Sequence, residues 1–448
     1  MKNKKYLLLL LIVPLLLGGM QLMKSEKSTI TALYPRSPES FVGDPMPYYN
    51  GKDFLIYYLE DQRLDTIGFH PFSLLRTRNF YQYVDEGEVL PYVNEEDSIE
   101  RALGTGSITQ DKQGTYHAFY TGHNGSLTPK EQIMHATSRD GIKWEKNEHD
   151  TFKAGPNYAA DDFRDPFVFW EEESQEYWML ITTRANDTGV IARYTSTDLS
   201  NWQDEGIFFS NDLGDDSNLE CPSLIHYQGK WYLAFSDQFG ERLVHYRVAD
   251  EITGEFKRVD ESDYVDGAGF YAGRLETDGE NLYLVGWIPT KDNHEDRGNY
   301  NWAGNLAVHQ LRSNEAGILS PTLPIAATKK ITQETIALEQ EQTLAFKEES
   351  MLYQSTYSPT NKRIVLSVGD QNHVVLDFNQ QTMAYYYDHF DNLENSESKT
   401  AIQFEESDAY SVQIVKEKDV LVVYIGGKAL SNRIYAGAKE GIAIRIID

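Results

Sequence analysis

The chain reads as an all-β protein: a five-bladed β-propeller followed by a C-terminal β-sandwich. Three observations predict this. Past residue 40, short apolar or alternating runs are bounded by Gly, Asn and Asp turns, the pattern of strands. Five of the runs are alike: residues 53–59 (DFLIYYL), 115–121 (TYHAFYT), 176–182 (EYWMLIT), 230–236 (KWYLAFS) and 281–287 (NLYLVGW). They recur every roughly 50 to 60 residues, within the range of repeat architectures. Beyond about residue 324 the repeat stops and a different set of alternating strands follows.

The first segment stands apart. Lys2, Lys4 and Lys5 precede residues 6–17, which are almost wholly apolar. This is the charged-then-apolar layout of an export signal. Gly18-Gly19-Met20-Gln21 is a poor cleavage site, and Pro14 and the short length make the run marginal as a spanning helix. Residues 1–24 are therefore expected to be a signal peptide or an N-terminal membrane anchor. The protein is expected to be exported, extracellular or at the cell surface. Any membrane attachment would run through this segment alone.

Residues 35–325 carry the propeller. Each of the five runs follows a polar turn and a shorter apolar strand. Those preceding strands begin near Asp44, Gly106-Ser107, Asp165, Glu220 and Tyr271-Ala272. Each run leads to a third strand ending in a charged turn, such as Ser138-Arg139-Asp140-Gly141. A fourth, edge-like strand carries Trp144 or Trp202. Four strands repeated five times make a five-bladed propeller, whose first strands line the central channel. Residues at the heads of those strands open onto one face. Gly43-Asp44-Pro45, Arg164-Asp165-Pro166 and Glu220-Cys221-Pro222 share that place, so Asp44, Asp165 and Glu220 are expected to converge. Convergent carboxyl groups suit glycosidic-bond chemistry. One protonates the leaving oxygen while another attacks or stabilises the sugar cation.

Residues 329–448 form the sandwich, with strands expected at 363–368, 373–378, 411–415, 420–425 and 441–447 and a linker at 328–342. The totals agree with this plan. A chain of 448 residues has room for two or three domains. Its 29 Tyr, 20 Phe and 7 Trp suit β-structure and stacking on sugar rings. A net charge of −28 argues against nucleic acid and anionic membrane surfaces as partners and is compatible with a neutral carbohydrate. The single Cys221 excludes an intramolecular disulfide. No metal site or cofactor is expected; residues 212–216 (DLGDD) lack a calcium-loop spacing and read as a solvated loop.

At these residues the chain resembles glycoside hydrolase family 32, the invertase, levanase and inulinase group. Phe41-Val42-Gly43-Asp44-Pro45 is similar to the family's nucleophile motif, of Trp-Met-Asn-Asp-Pro type. Gly104-Thr105-Gly106-Ser107 resembles its Ser-Gly-Ser element. Phe163-Arg164-Asp165-Pro166 and Glu220-Cys221-Pro222 look like intact versions of its Phe-Arg-Asp-Pro and Glu-Cys motifs. Phe270-Tyr271-Ala272, Trp302-Ala303-Gly304 and residues 422–435 are similar to later elements.

The resemblance implies a cofactor-free retaining glycoside hydrolase acting on β-fructofuranosides of sucrose, fructo-oligosaccharide, levan or inulin type. In it Asp44 would be the nucleophile, Glu220 the acid/base, and Asp165 the stabiliser of the oxocarbenium-like transition state. Arg164 would hold Asp165 ionised and donate to the sugar. Ser107, His70 and Tyr271 are further candidates for substrate binding, and Trp287 and Trp302 candidates as stacking platforms. Cys221 reads as packing beneath Glu220. Four departures from the family pattern bear on sugar identity: Gly43 in place of Asn, Met46-Pro47 in place of Asn-Gly, Leu59-Glu60 in place of a Gln, and Phe69-His70-Pro71-Phe72 in place of a Trp-containing stretch. An arabinan- or xylan-directed propeller glycosidase, a fructosyltransferase and a non-catalytic cell-surface carbohydrate-binding protein stay open as alternatives.

Overall fold

A computed structural model describes residues 27–63, 70–358, 360, 362–402 and 409–447. The export signal expected over residues 1–24 lies outside the described residues. The five aromatic runs become the second strands of five antiparallel blades: Phe54–Asp61, Tyr116–His123, Glu176–Ala185, Lys230–Asp237 and Leu282–Lys291. Neighbouring residues on them point to opposite faces, and both faces are covered. Tyr57 packs into one apolar cluster while Ile56 and Tyr58 pack into another. That two-sided burial is why these runs carry almost no polar face.

The first strands are Phe41–Tyr49, Ala102–Gln110, Phe163–Glu171, Leu219–Tyr227 and Tyr271–Thr277. They contact one another in cyclic order, which sets them around the central axis. Third strands follow at Phe72–Thr77, Glu131–Ser138, Thr188–Ser196, Val244–Ala249 and Tyr300–Ser313. Fourth strands are Gln82–Leu90, Trp144–Lys146, Gln203–Ser210 and Leu319–Thr322. The fourth blade departs from the expected pattern. Its sheet has three strands, and isolated bridges at Val248–Lys257 and His245–Tyr264 stand in for the outer one. Trp144 opens its strand as expected, whereas Trp202 lies just ahead of Gln203–Ser210.

The last blade is tied to the first where Gly304 pairs with Val42, and Ser28–Thr31 extends the outer edge of the first blade. The chain then reaches the C-terminal unit, where the N–H groups of Leu33 and Tyr34 donate to the buried Glu417 carboxylate.

The C-terminal unit is two antiparallel-dominated sheets of five and six strands enclosing one apolar core. Four of its five expected strands appear within a residue of their expected bounds: Arg363–Val368, Asn372–Asp377, Val420–Ile425 and Ile442–Ile447; Tyr410–Glu417 extends two residues further. The segment expected as a linker is not one throughout. It contains Thr332–Thr335, which pairs in parallel with Ser350–Tyr357 as an edge strand. Leu352, Val415, Val422 and Tyr424 of this unit share a cluster with Leu284 and Ile288 of the propeller. The two units therefore bury apolar surface against each other. Asp266 and Arg433 bridge them as well: Asp266 accepts from Ser431, and Arg433 donates to the carbonyls of Ile288 and Pro289.

The acidic stretch 212–216 is not simply solvated. Asp212 forms a two-point ion pair with the fully buried Arg247, and Asp216 faces Arg184. Among the described residues, no group of three or more His, Cys, Asp or Glu is placed to hold a metal ion. Among them, no helix is long and apolar enough to cross a membrane.

Candidate active site

The site is built on one irregularity used five times. Near its head, each inner strand carries a β-bulge, marked by register shifts at Gly43/Met46, Gly104/Gly106, Arg164/Phe167, Glu220/Ser223 and Tyr271/Arg274. An extra residue breaks the ladder there, so Pro45, Pro166 and Pro222 cost no strand hydrogen bond, and Pro166 and Pro222 also lie on strands at the edge of their sheets. The residue before each proline takes a left-handed backbone: φ is 39° at Asp44, 59° at Asp165 and 53° at Cys221, and Ala272 has 49°. Asp tolerates this region better than most side chains, while Cys and Ala hold it as local strain.

The bulges correct one expectation. Asp44 and Asp165 occupy the bulge itself, but in the fourth blade that position belongs to Cys221. Glu220 lies one residue earlier, in register with Gly43, Arg164 and Tyr271. The three carboxyl groups thus reach the channel mouth from two register positions.

Each carboxyl group is held by its own donors. The indole N–H groups of Trp287 and Trp302 donate to the two oxygens of Asp44, at 3.1 and 3.3 Å. The backbone N–H of Cys221 donates to Asp165 at 2.9 Å, and the amide of Asp165 donates to Thr121 Oγ1 at 3.0 Å. Glu220 accepts from Arg164 at 3.1 Å on one oxygen and from the Tyr271 hydroxyl at 2.8 Å on the other. The Tyr271 hydroxyl also lies 2.9 Å from the carbonyl of Asp237. Its single proton can turn to that carbonyl, which leaves the phenolic oxygen free to accept a proton held on Glu220.

Electrostatics follow from burial and crowding. Burial, then the charges of Asp165 and Glu220, push the Asp44 carboxyl from 3.8 up to about 7, while the two indole donors pull it down. Asp165 is pushed up to about 6, first by burial and also by Glu220, with Arg164 and Arg274 pulling it back. Burial drives the Cys221 thiol and the Tyr271 phenol well above their ordinary values, so both stay protonated near neutrality. Cys221 packs with Tyr271, Ala272 and Trp287, and its amide, not its thiol, serves the site.

Other expected residues fall differently. Arg164 does not hydrogen-bond to Asp165; its guanidinium is taken up by Glu220, Glu131, Asp162 and Gln238. Trp287 is fully buried, edge-on to Tyr271, and offers no free face for stacking. Ser107 lies beyond its bulge, and its hydroxyl accepts from the amide of Val168 at 2.8 Å. Ser223 makes the same strut to Leu275 two blades on, so the Ser107 hydroxyl serves as a blade-to-blade tie. His70 stacks obliquely on Trp302, with ring centroids 4.4 Å apart.

Gly43 explains the seat of Trp302. A Cβ at residue 43 would fall 2.4 Å from the Trp302 ring. Any side chain there would push the indole away from Asp44. Sequence reasoning missed Trp302 and Trp287 as donors to Asp44, and missed Gln238, Glu131 and Arg242 altogether. Arg242, on the hairpin after Asp237, spreads its guanidinium over Tyr271 at 4.6 Å and Trp287 at 5.6 Å. No local motif announces these residues, because their partners lie in other blades.

Comparison with known proteins gives the chain's family. The family model described as Glycosyl hydrolases family 32 N-terminal domain matches residues 36–318. The raffinose invertase of Escherichia coli is 26% identical over 302 residues, which cover 60% of each chain. The levanbiose-producing levanase of Bacillus subtilis is 23% identical over 353 residues, 70% of this chain and 65% of that one. The chain thus spans about two thirds or less of these two relatives. A solved Bombyx mori GH32 beta-fructofuranosidase in complex with sucrose superposes with a TM-score of 0.69 at 19% identity, over 93% of this chain and 90% of that one. Matched through its propeller by the family model and through nearly its whole length by the fold, the chain belongs to glycosyl hydrolase family 32.

Proposed function

We propose that the protein is a retaining glycoside hydrolase that cleaves β-fructofuranosides through a covalent glycosyl-enzyme intermediate. The observation that carries this reading is the convergence of Asp44, Asp165 and Glu220, each fixed by donors from a different strand. Asp44 attacks the anomeric carbon. Trp287 and Trp302 hold both of its oxygens, so the attacking lone pair is oriented before substrate arrives. Glu220 delivers its proton to the leaving oxygen and then takes one from water. The Tyr271 hydroxyl can serve both states, donating to the carboxylate or accepting from the acid while it donates to the Asp237 carbonyl. Asp165, anchored by the Cys221 amide, binds sugar hydroxyls and stabilises the developing cation.

The names of the relatives support fructose as the reacting sugar. The Lys-flanked apolar run at the N-terminus supports export, with the catalytic part outside the cell. A neutral polyol substrate also suits the net charge of −28. The test is direct. Residues 25–448 are incubated with sucrose, inulin, levan, arabinan and xylan oligosaccharides, and the products are chromatographed. Free fructose that is absent with Asp44→Ala and Glu220→Ala is the expected result. Arabinose or xylose would move the substrate. No product from any sugar would refute hydrolysis of these substrates.

A further inference from the structure

The charges of the site do not balance through contacts alone. Arg164 is committed to Glu220, Glu131 and Asp162. Among the described residues, no cation touches Asp44 or Asp165. The other buried guanidinium here is Arg274, on the inner strand of the fifth blade and 1% exposed. Its Nη1 donates to the carbonyl of Pro222 at 3.2 Å, while Nε and Nη2 have no partner among the described residues. A buried cation without a contacting anion is costly, so its charge must be offset at longer range. Pro222 follows Cys221, whose amide holds Asp165. Arg274 is thus tied to the same bulge that anchors Asp165.

We propose that Arg274 is a positioning residue for catalysis: a fixed counter-charge for Asp165, set beneath the site through the Cys221-Pro222 bulge, that never touches substrate. Arg164, although its hydrogen bonds go to Glu220, Glu131, Asp162 and Gln238, also pulls the Asp165 carboxyl down, and Arg274 adds a second, separately anchored positive charge. The inference rests on the reading of Asp165 as a stabiliser of the transition state. Its direction agrees with the pull of Arg274 against the raised Asp165 carboxyl. The titratable and charged groups that act on Asp165 besides Arg274 are Asp44 on the first inner strand, Arg164 on the third, and Glu220 and Cys221 on the fourth.

The test compares Arg274→Met and Arg274→Gln, which remove the charge, with Arg274→Lys, which keeps it. Asp165 is followed by carbon NMR of aspartate-labelled protein, assigned with Asp165→Asn. This readout needs no turnover, so it still reports if the fructosidase reading fails. The Asp165 titration should rise by about half a pH unit or more in the Met and Gln variants and stay near its original place in Lys. The acid limb of kcat/KM should move the same way, with about a twofold or greater loss at pH 6. A folded Met or Gln variant that titrates like the unsubstituted protein overturns the proposal. If neither neutral variant folds, Arg274→Lys decides: an unmoved Asp165 titration supports the charge role, and a titration raised despite the retained charge overturns it.

Discussion

Replacing Asp44 by Asn should remove a pH-dependent burden on folding. Folding lifts this carboxyl from 3.8 to about 7. Between those values the folded chain keeps a proton that the unfolded chain has released. Stability therefore falls as pH rises through the window and levels off above about 7. Asn has no such slope. Each pH unit in the window corresponds to about 1.4 kcal/mol, so the unsubstituted protein would lose about 2.7 kcal/mol relative to Asp44→Asn between pH 5 and pH 8. Asp44 keeps part of its surface in solvent, and screening reduces the expected figure to about 2 kcal/mol. The amide also leaves one indole N–H of Trp287 or Trp302 facing another donor. That cost of about 1 kcal/mol is the same at both pH values and cancels in the comparison. The assay is urea denaturation of both proteins at pH 5 and pH 8. A stability gap that changes by less than about 0.5 kcal/mol between the two pH values would refute the reasoning.

Four further outcomes are expected. Gly43→Ala should displace Trp302 and lower kcat about tenfold, the loss of one donor to Asp44; Trp302→Phe should do the same, and the double variant should be no worse than either, as steady-state kinetics will tell. Tyr271→Phe should lower kcat by about tenfold or more and leave the protein folded, since it removes the hydroxyl beside Glu220 without emptying the pocket. Ser107→Ala should cost about 1 kcal/mol in denaturation experiments and leave KM unchanged, because its hydroxyl ties two blades together; a raised KM at full stability would return Ser107 to the substrate. Treatment of the native protein with iodoacetamide should leave activity intact, as Cys221 is buried and its thiol is held protonated.

The repeat was legible in the sequence because its signals are local. A strand buried on both faces must be apolar at successive positions, so runs such as Phe54–Asp61 and Lys230–Asp237 announce themselves. The motifs at residues 43–45, 164–166 and 220–222 were legible too, because they recur at the head of the inner strand of a repeated unit. Those features determined the blade count, the inner strands and the three carboxyl groups at their heads. Only the tertiary structure decided how these groups are used. The one-residue offset of Glu220 depends on which residue each bulge leaves unpaired. The outer edge of the fourth blade depends on bridges such as His245–Tyr264 that follow no strand pattern. Arg164 turns to Glu220 across 56 residues, and Trp302 reaches Asp44 across 258. Such contacts are set by blades closing into a ring, and a hydrogen bond or ion pair between distant strands leaves no periodic trace in the chain that makes it.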